Sequence, residues 1–149
     1  NKRLNRNNDG GTTRRTTDIF QLATTVLFQN PVQNFALAPN NLKDVSPVCM
    51  DYMKAVPTTW DETRLIDGYP GKYVVLARRH NDTWYLAAVN AGKETLKLKL
   101  DLEMFAGKTV TLYKDDKKGE PQLVPLKVKE NGKVQLEILP QGGAVLVNK

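Results

Sequence analysis

Cysteine and histidine are nearly missing from this chain: it holds one of each in 149 residues. A lone Cys49 excludes an internal disulfide framework. Cys49 and His80 together fall short of the four ligands that a structural zinc site needs. A Ser-His-Asp or Cys-His catalytic engine would have to use His80. That residue lies in "RRHNDTW", which reads as a strand end and a turn, where a histidine is solvated. No apolar run reaches the roughly 18 residues of a transmembrane helix, so no membrane span is expected. The sequence shows no signal peptide and does not begin with methionine, which suggests a fragment or a processed product. There is no internal repeat and no low-complexity segment.

Basic residues outnumber acidic ones, giving a net charge of +6. An anionic partner could follow from that, but the lysines alternate with leucines in stretches such as "TLKLKLD". Such alternation describes the solvated face of a strand, and the usual nucleic-acid motifs are absent, so no nucleic acid is expected as a partner.

Two halves of the chain follow different patterns. After a polar opening with Gly10-Gly11, "TTDIFQLATTVLFQN" carries Ile19, Leu22, Ala23, Val26 and Leu27 at spacings of three and four, the stripe of an amphipathic helix. Thr16 or Thr17 can cap it, Asp18 suits its first turn, and Asn30-Pro31 ends it. Phe20 and Phe28 widen the apolar face, so this helix needs cover on more than one side. In "SPVCMDYMKAV", Ser46 at the cap and Pro47 at the first helical position predict a second helix. From Pro57 onward the period is two. Eight short strands follow, beginning with "TWDETRLI", and Asn81-Asp82 and Asn131-Gly132 mark two hairpins. Leu96, Leu98, Leu100 and Leu102 fall on one strand face, with Lys97, Lys99 and Asp101 on the other. This pattern predicts an antiparallel Greek-key sandwich or barrel over 57–149, preceded by a helical segment over 1–56.

The candidate chemistry is the acid pair Asp61-Glu62 beside Trp60, since glycosidases work with paired carboxylates near aromatic rings. On a regular strand over 58–66, however, Trp60, Glu62 and Arg64 share one face and Asp61, Thr63 and Leu65 the other. Carboxylates that point apart cannot flank one glycosidic bond at the roughly 5 to 9.5 Å that hydrolysis demands. Glu62 beside Arg64 is better explained as an ion pair. Asp115-Asp116-Lys117-Lys118 reads as a solvated loop with too few oxygen ligands for a divalent ion. Trp84 and Tyr85, adjacent on a strand, put one ring on each face, and either could form a sugar-binding platform.

With this organisation in view, "TTRRTTDIFQLATTVLFQNPVQNFALAPNNL", "VPTTWDETRLIDGYPGKYVVLARRHNDTWYLAAV" and "LPQGGAVLV" resemble the C-terminal end of glycoside hydrolase family 97. These are α-glucosidase and α-galactosidase-type enzymes, common in Bacteroidetes. The resemblance implies that residues 1–56 correspond to the last helical part of a (β/α)8 catalytic barrel and 57–149 to a C-terminal antiparallel β-domain. It implies calcium in the parent enzyme but none bound by this chain, and catalytic carboxylates upstream of it. The implied partners are the upstream barrel, an N-terminal β-domain and an oligo- or polysaccharide substrate. The implied location is periplasmic or secreted. Asn5, Arg6 and Asn7 would fall near the last βα loop, on the face where barrel active sites sit. Two functions compete: an accessory domain of a glycosidase, inactive alone, and an independent carbohydrate-binding module using Trp84 or Tyr85.

Overall fold

The computed structural model describes residues 14–148 apart from 36 and 38. Two helices come first, α1 (Asp18–Leu27) and α2 (Pro47–Ala55), joined through a 3-10 turn at Pro39–Lys43. Thr17 caps α1, its hydroxyl accepting the Phe20 N–H at 3.1 Å, and Asp18 lies in the first turn where the helix dipole favours an anion. The helix stops at Leu27, with Phe28 already extended, before Asn30-Pro31 is reached. Ser46 holds the cap position of α2 and Pro47 its first turn, although the serine side chain makes no capping bond.

The eight expected strands all form: β1 (Glu62–Tyr69), β2 (Tyr73–His80), β3 (Thr83–Asn90), β4 (Leu96–Asp101), β5 (Thr109–Asp115), β6 (Pro121–Lys127), β7 (Lys133–Ile138) and β8 (Gly143–Val147). They pair antiparallel as a six-stranded sheet in the order β1-β2-β3-β8-β5-β6 and a two-stranded sheet of β4 and β7. Asn81, at a φ of 51°, turns β2 into β3 as its dipeptide predicts. The second expected hairpin does not form. Asn131-Gly132 ends a turn in which the Gly132 N–H donates to the Lys129 carbonyl, and that turn carries the chain from one sheet to the other. β6 pairs only with β5, at an edge of the sheet, where its Pro121 and Pro125 interrupt no ladder on the outer side.

Burial follows from the strand parity. On one face of the large sheet Val75, Ala77, Trp84, Leu86, Leu112 and Leu146 meet Leu98, Leu100, Leu136 and Ile138 of the small one. The lysine face of β4 is outward, as the alternation requires. On the other face Tyr85, Ala87, Tyr113, Val145 and Val147 meet Ile19, Leu22 and Val26 of α1 and Tyr52 of α2. The apolar stripe of α1 is therefore spent on this chain's own sheet. Tyr52 sits edge-on to Tyr113 at 5.0 Å, and its hydroxyl lies 3.0 Å from that of Thr25. The result is three layers, helices on sheet on sheet.

Two contacts fix α1 to the sheet. Asp115 Oδ2 accepts from the Thr17 hydroxyl at 2.7 Å and from the Gly143 N–H at 3.1 Å, so one carboxylate joins the helix cap to β5 and β8. Gly143 lets the helix approach: a Cβ there would stand 2.8 Å from the Ile19 carbonyl oxygen and from the Phe20 backbone. Because those atoms are backbone, they have no rotamer into which to retreat. Gly143→Ala is expected to cost about 1–3 kcal/mol by forcing α1 away from the sheet. Urea denaturation of the two proteins checks this, and an unchanged midpoint would show that the helix can shift freely.

Candidate functional site

The acid pair sits where the chain enters the sheet. Glu62 is the first residue of β1, facing Arg79 of β2 in register, and Arg64 lies two residues on along the same face. Arg64 Nε donates to Glu62 Oε1 at 2.6 Å and Arg79 Nε to Oε2 at 3.3 Å. The expected Glu62–Arg64 pair is present. Residues 58–61 precede the strand, so its alternation does not extend to them, and two expectations fail there. Trp60 lies on the helix side, edge-on to Tyr85 at 5.3 Å, rather than on the Glu62 face. The Asp61 carboxylate also stands 3.6 Å from Arg79, so that both acids meet on one guanidinium. Its Oδ2 further accepts the Asn81 N–H at 2.7 Å, which holds the β2–β3 turn.

This arrangement suits structure better than acid catalysis. A general acid needs its carboxyl held above the ordinary range, whereas hydrogen bonds from Arg64 and Arg79 hold Glu62 below it. The guanidinium of Arg64 also stacks over the Trp84 ring at 4.7 Å, and that of Arg79 lies 6.0 Å from it. Trp84 is 8% exposed and Tyr85 6%, the first in the core between the sheets and the second beneath the helices. A sugar platform needs an open ring face, and neither ring offers one, because β3 is covered on both sides. His80 ends β2 as expected, its Nδ1 2.9 Å from the Thr59 carbonyl oxygen. Cys49 is buried against α1, and desolvation pushes its thiol up to about 11, so it is no thiolate nucleophile. Asn5, Arg6 and Asn7 lie outside the described residues. Among the described residues, no three His, Cys, Asp or Glu side chains come together as a metal site.

Two polar residues that sequence reasoning did not single out, Asn90 and Arg78, prove to be buried, and a third, Asp115, is half-buried. Asp115 was expected in a solvated loop; it is the last residue of β5 and clamps α1. Desolvation raises its carboxyl above the ordinary range, against the lowering effect of its bonds to Thr17 and Gly143. Asn90 Nδ2 donates to the Glu94 carbonyl at 2.8 Å and the Leu139 carbonyl at 3.1 Å, joining the exits of β3 and β7. Arg78, next to Arg79 but of opposite parity, faces the helix layer. It is 2% exposed. The signal available in the sequence was a charged residue at an inward position of a near-continuous apolar run, "YVVLARRH".

Arg78 lines an open cleft of about 420 Å3, formed by Gln29 and Pro31 after α1, the segment 58–60, and Thr63 of β1. Its Nη1 donates to the Phe28 carbonyl at 2.8 Å. Among the described residues its Nε has no partner, and neither has the enclosed indole N–H of Trp60 beside it. Gln33 Nε2 donates to the Thr25 carbonyl at 2.9 Å, while its Oε1, an acceptor, is unpaired among the described residues. Burial alone pulls the Arg78 guanidinium below its ordinary range. Two buried donors, Arg78 Nε and the Trp60 indole N–H, thus stand unpaired beside the cleft among the described residues, which is a binding geometry rather than a reactive one.

Comparison with known proteins places these features in a family context. The family described as glycosyl-hydrolase 97 C-terminal, oligomerisation, matches residues 59–148. A retaining α-galactosidase of Bacteroides thetaiotaomicron is 29% identical over 133 residues, covering 85% of this chain and 20% of that protein. The crystal structure of a β-arabinopyranosidase is similar at a TM-score of 0.95 and 86% identity, over 99% of this chain and 24% of its own. A glycoside hydrolase family 97 enzyme of Pseudoalteromonas sp. strain K8, in complex with panose, aligns at a TM-score of 0.78 and 25% identity, over 92% of this chain and 23% of its own. The chain therefore spans about a fifth to a quarter of these relatives' lengths.

The two carboxylates described above predict opposite dependences on pH. Glu62 is lowered in the fold, so its contribution is present above the unfolded carboxylate range and is lost as pH falls through its folded value. Asp115 is raised, so the folded state holds its proton more tightly and stability gains from this group as pH falls. Thermal unfolding across a pH series should show the wild-type advantage over Glu62→Gln shrinking on acidification. The advantage over Asp115→Asn should grow. The same trend for both variants would contradict the assignment.

Proposed function

The chain belongs to the glycosyl-hydrolase 97 C-terminal family, and from that membership we propose that it is the C-terminal accessory domain of a glycosidase acting on α-galactosides or α-glucosides. It supports the catalytic barrel and is inactive alone. The observation that carries this is the match itself, a C-terminal family found on a chain that covers 20% of a retaining α-galactosidase. The site geometry agrees, since Asp61 and Glu62 are both committed to Arg79. The catalytic carboxylates and the calcium ligands of the parent belong to residues outside this chain, and the parent works in the periplasm or outside the cell.

One observation favours a narrower substrate. The 86% identity is to a β-arabinopyranosidase, and β-L-arabinopyranose has the ring configuration of α-D-galactopyranose without the C6 hydroxymethyl group. A single catalytic pocket shaped for the galacto configuration can take either sugar, and α-glucosides differ from both at C4. The full-length enzyme is expected to hydrolyse p-nitrophenyl β-L-arabinopyranoside and α-D-galactopyranoside with higher kcat/KM than the α-D-glucopyranoside. The 149-residue chain by itself is expected to hydrolyse none of them. Turnover by the chain alone would overturn the accessory role, and a preference for the glucoside would overturn the galacto-type pocket.

A further inference from the structure

Resting on that accessory role, we propose that the Arg78 cleft is the docking point for the catalytic domain of the same enzyme, which inserts an Asp or Glu carboxylate against Arg78 and the Trp60 indole. Charge is the first reason. A buried guanidinium is ordinarily paired with an anion, because the desolvated cation is costly when left alone. Arg78 is 2% exposed, yet no carboxylate pairs with it among the described residues, and its Nε is unpartnered. Nη1 is taken by the Phe28 carbonyl, which is neutral. The fork of an arginine accepts a carboxylate through two nitrogens, and the orphaned indole N–H beside it supplies a further donor.

Cover is the second reason. Thr63 and Leu65 of β1 pair in register with Arg78 and Leu76 of β2, and all four face the helix side of the sheet. α1 and α2 cover that face over β3, β8 and β5, where Tyr85, Val145 and Tyr113 are buried. Over β1 no described residue of the helix layer continues the cover, and Leu65 is 71% exposed. Phe28 and Val32, the chain neighbours of the cleft residues Gln29 and Pro31, are 65% and 72% exposed. Apolar side chains around buried, unpaired donors describe the centre and surround of an interface, not of a solvated surface. Size is the third reason. This chain accounts for 24% of the similar β-arabinopyranosidase, so a partner large enough to complete the face is joined to it in such an enzyme.

The test uses the sign of one substitution in two proteins. Arg78→Met removes a buried cation. In the 149-residue chain, where the cation is unpaired, the melting temperature should stay the same or rise. In the full-length enzyme, where the change strands a carboxylate, it should fall by several degrees, and Arg78→Lys should recover part of the loss. A fall in both proteins would mean that Arg78 is satisfied within this chain, and no fall in the full-length enzyme would mean that no external anion meets it; either overturns the proposal. A photo-crosslinking amino acid at Thr63 of the full-length enzyme needs no folded isolated chain. Adducts with catalytic-domain peptides are expected, whereas adducts with a second copy, or none, overturn the proposal. Glycoside turnover by the unmodified full-length enzyme tests the accessory role separately. An active full-length enzyme indifferent to Arg78→Met would overturn this docking proposal and leave the accessory role standing.

Discussion

Everything in this fold answers to the two-sided burial of β3. From Trp84 to Asn90 every residue is buried, so the strand needs an apolar layer above and another below. The small β4–β7 sheet supplies one and the two helices supply the other. That requirement explains why helices are kept in a chain that is otherwise β, and why their contact is so close. Gly143 permits it by lacking a side chain, and Asp115 ties it down through Thr17. The same requirement sets where the structure is unfinished. Two helices of 10 and 9 residues cover the middle of a six-stranded sheet but not its β1 edge.

The sequence announced most of the local structure. Period-two patterning located all eight strands, since each has a half-buried face or a fully apolar run, and the caps located both helices. Pairing was less legible. Asn131-Gly132 has the chemistry of a tight hairpin, but β6 and β7 part into different sheets. Nothing local distinguishes a turn that reverses a strand from one that changes layers. That choice rests on contacts far apart in the chain, between β6 and β5 and between β7 and β4. Alternation also misplaced Trp60, because a residue two positions before the strand is not bound by its parity. The burial of Arg78 and the half-burial of Asp115 were missed for a related reason. Charge is a prior for exposure, and only the packing of helices on that face of the sheet reverses it.

Three charged groups of this chain show how environment decides what a residue can do. Glu62 is met by two guanidinium groups near the surface, which fixes it as an anion and spends it on joining β1 to β2. Asp115 is half-buried; desolvation holds its proton more tightly, against the pull of its neutral donors, and its bond to Thr17 makes it a clamp for a helix. Glu62 lacks the raised carboxyl of a glycosidase acid, and the raised Asp115 is spent on the Thr17 hydroxyl and the Gly143 N–H, although both residues sit in acidic doublets. Arg78 is the complementary case, a buried cation whose acceptor among the described residues is a peptide carbonyl. In a domain complete in itself such a group would tend to be replaced by an apolar side chain, since burial penalises charge without return. Its presence beneath the uncovered edge of the sheet is intelligible if the compensating charge arrives with the covering layer. The proposed accessory role and the incomplete core would then share one physical cause: the sheet is closed where α1 and α2 reach it and open to a covering layer at its β1 edge.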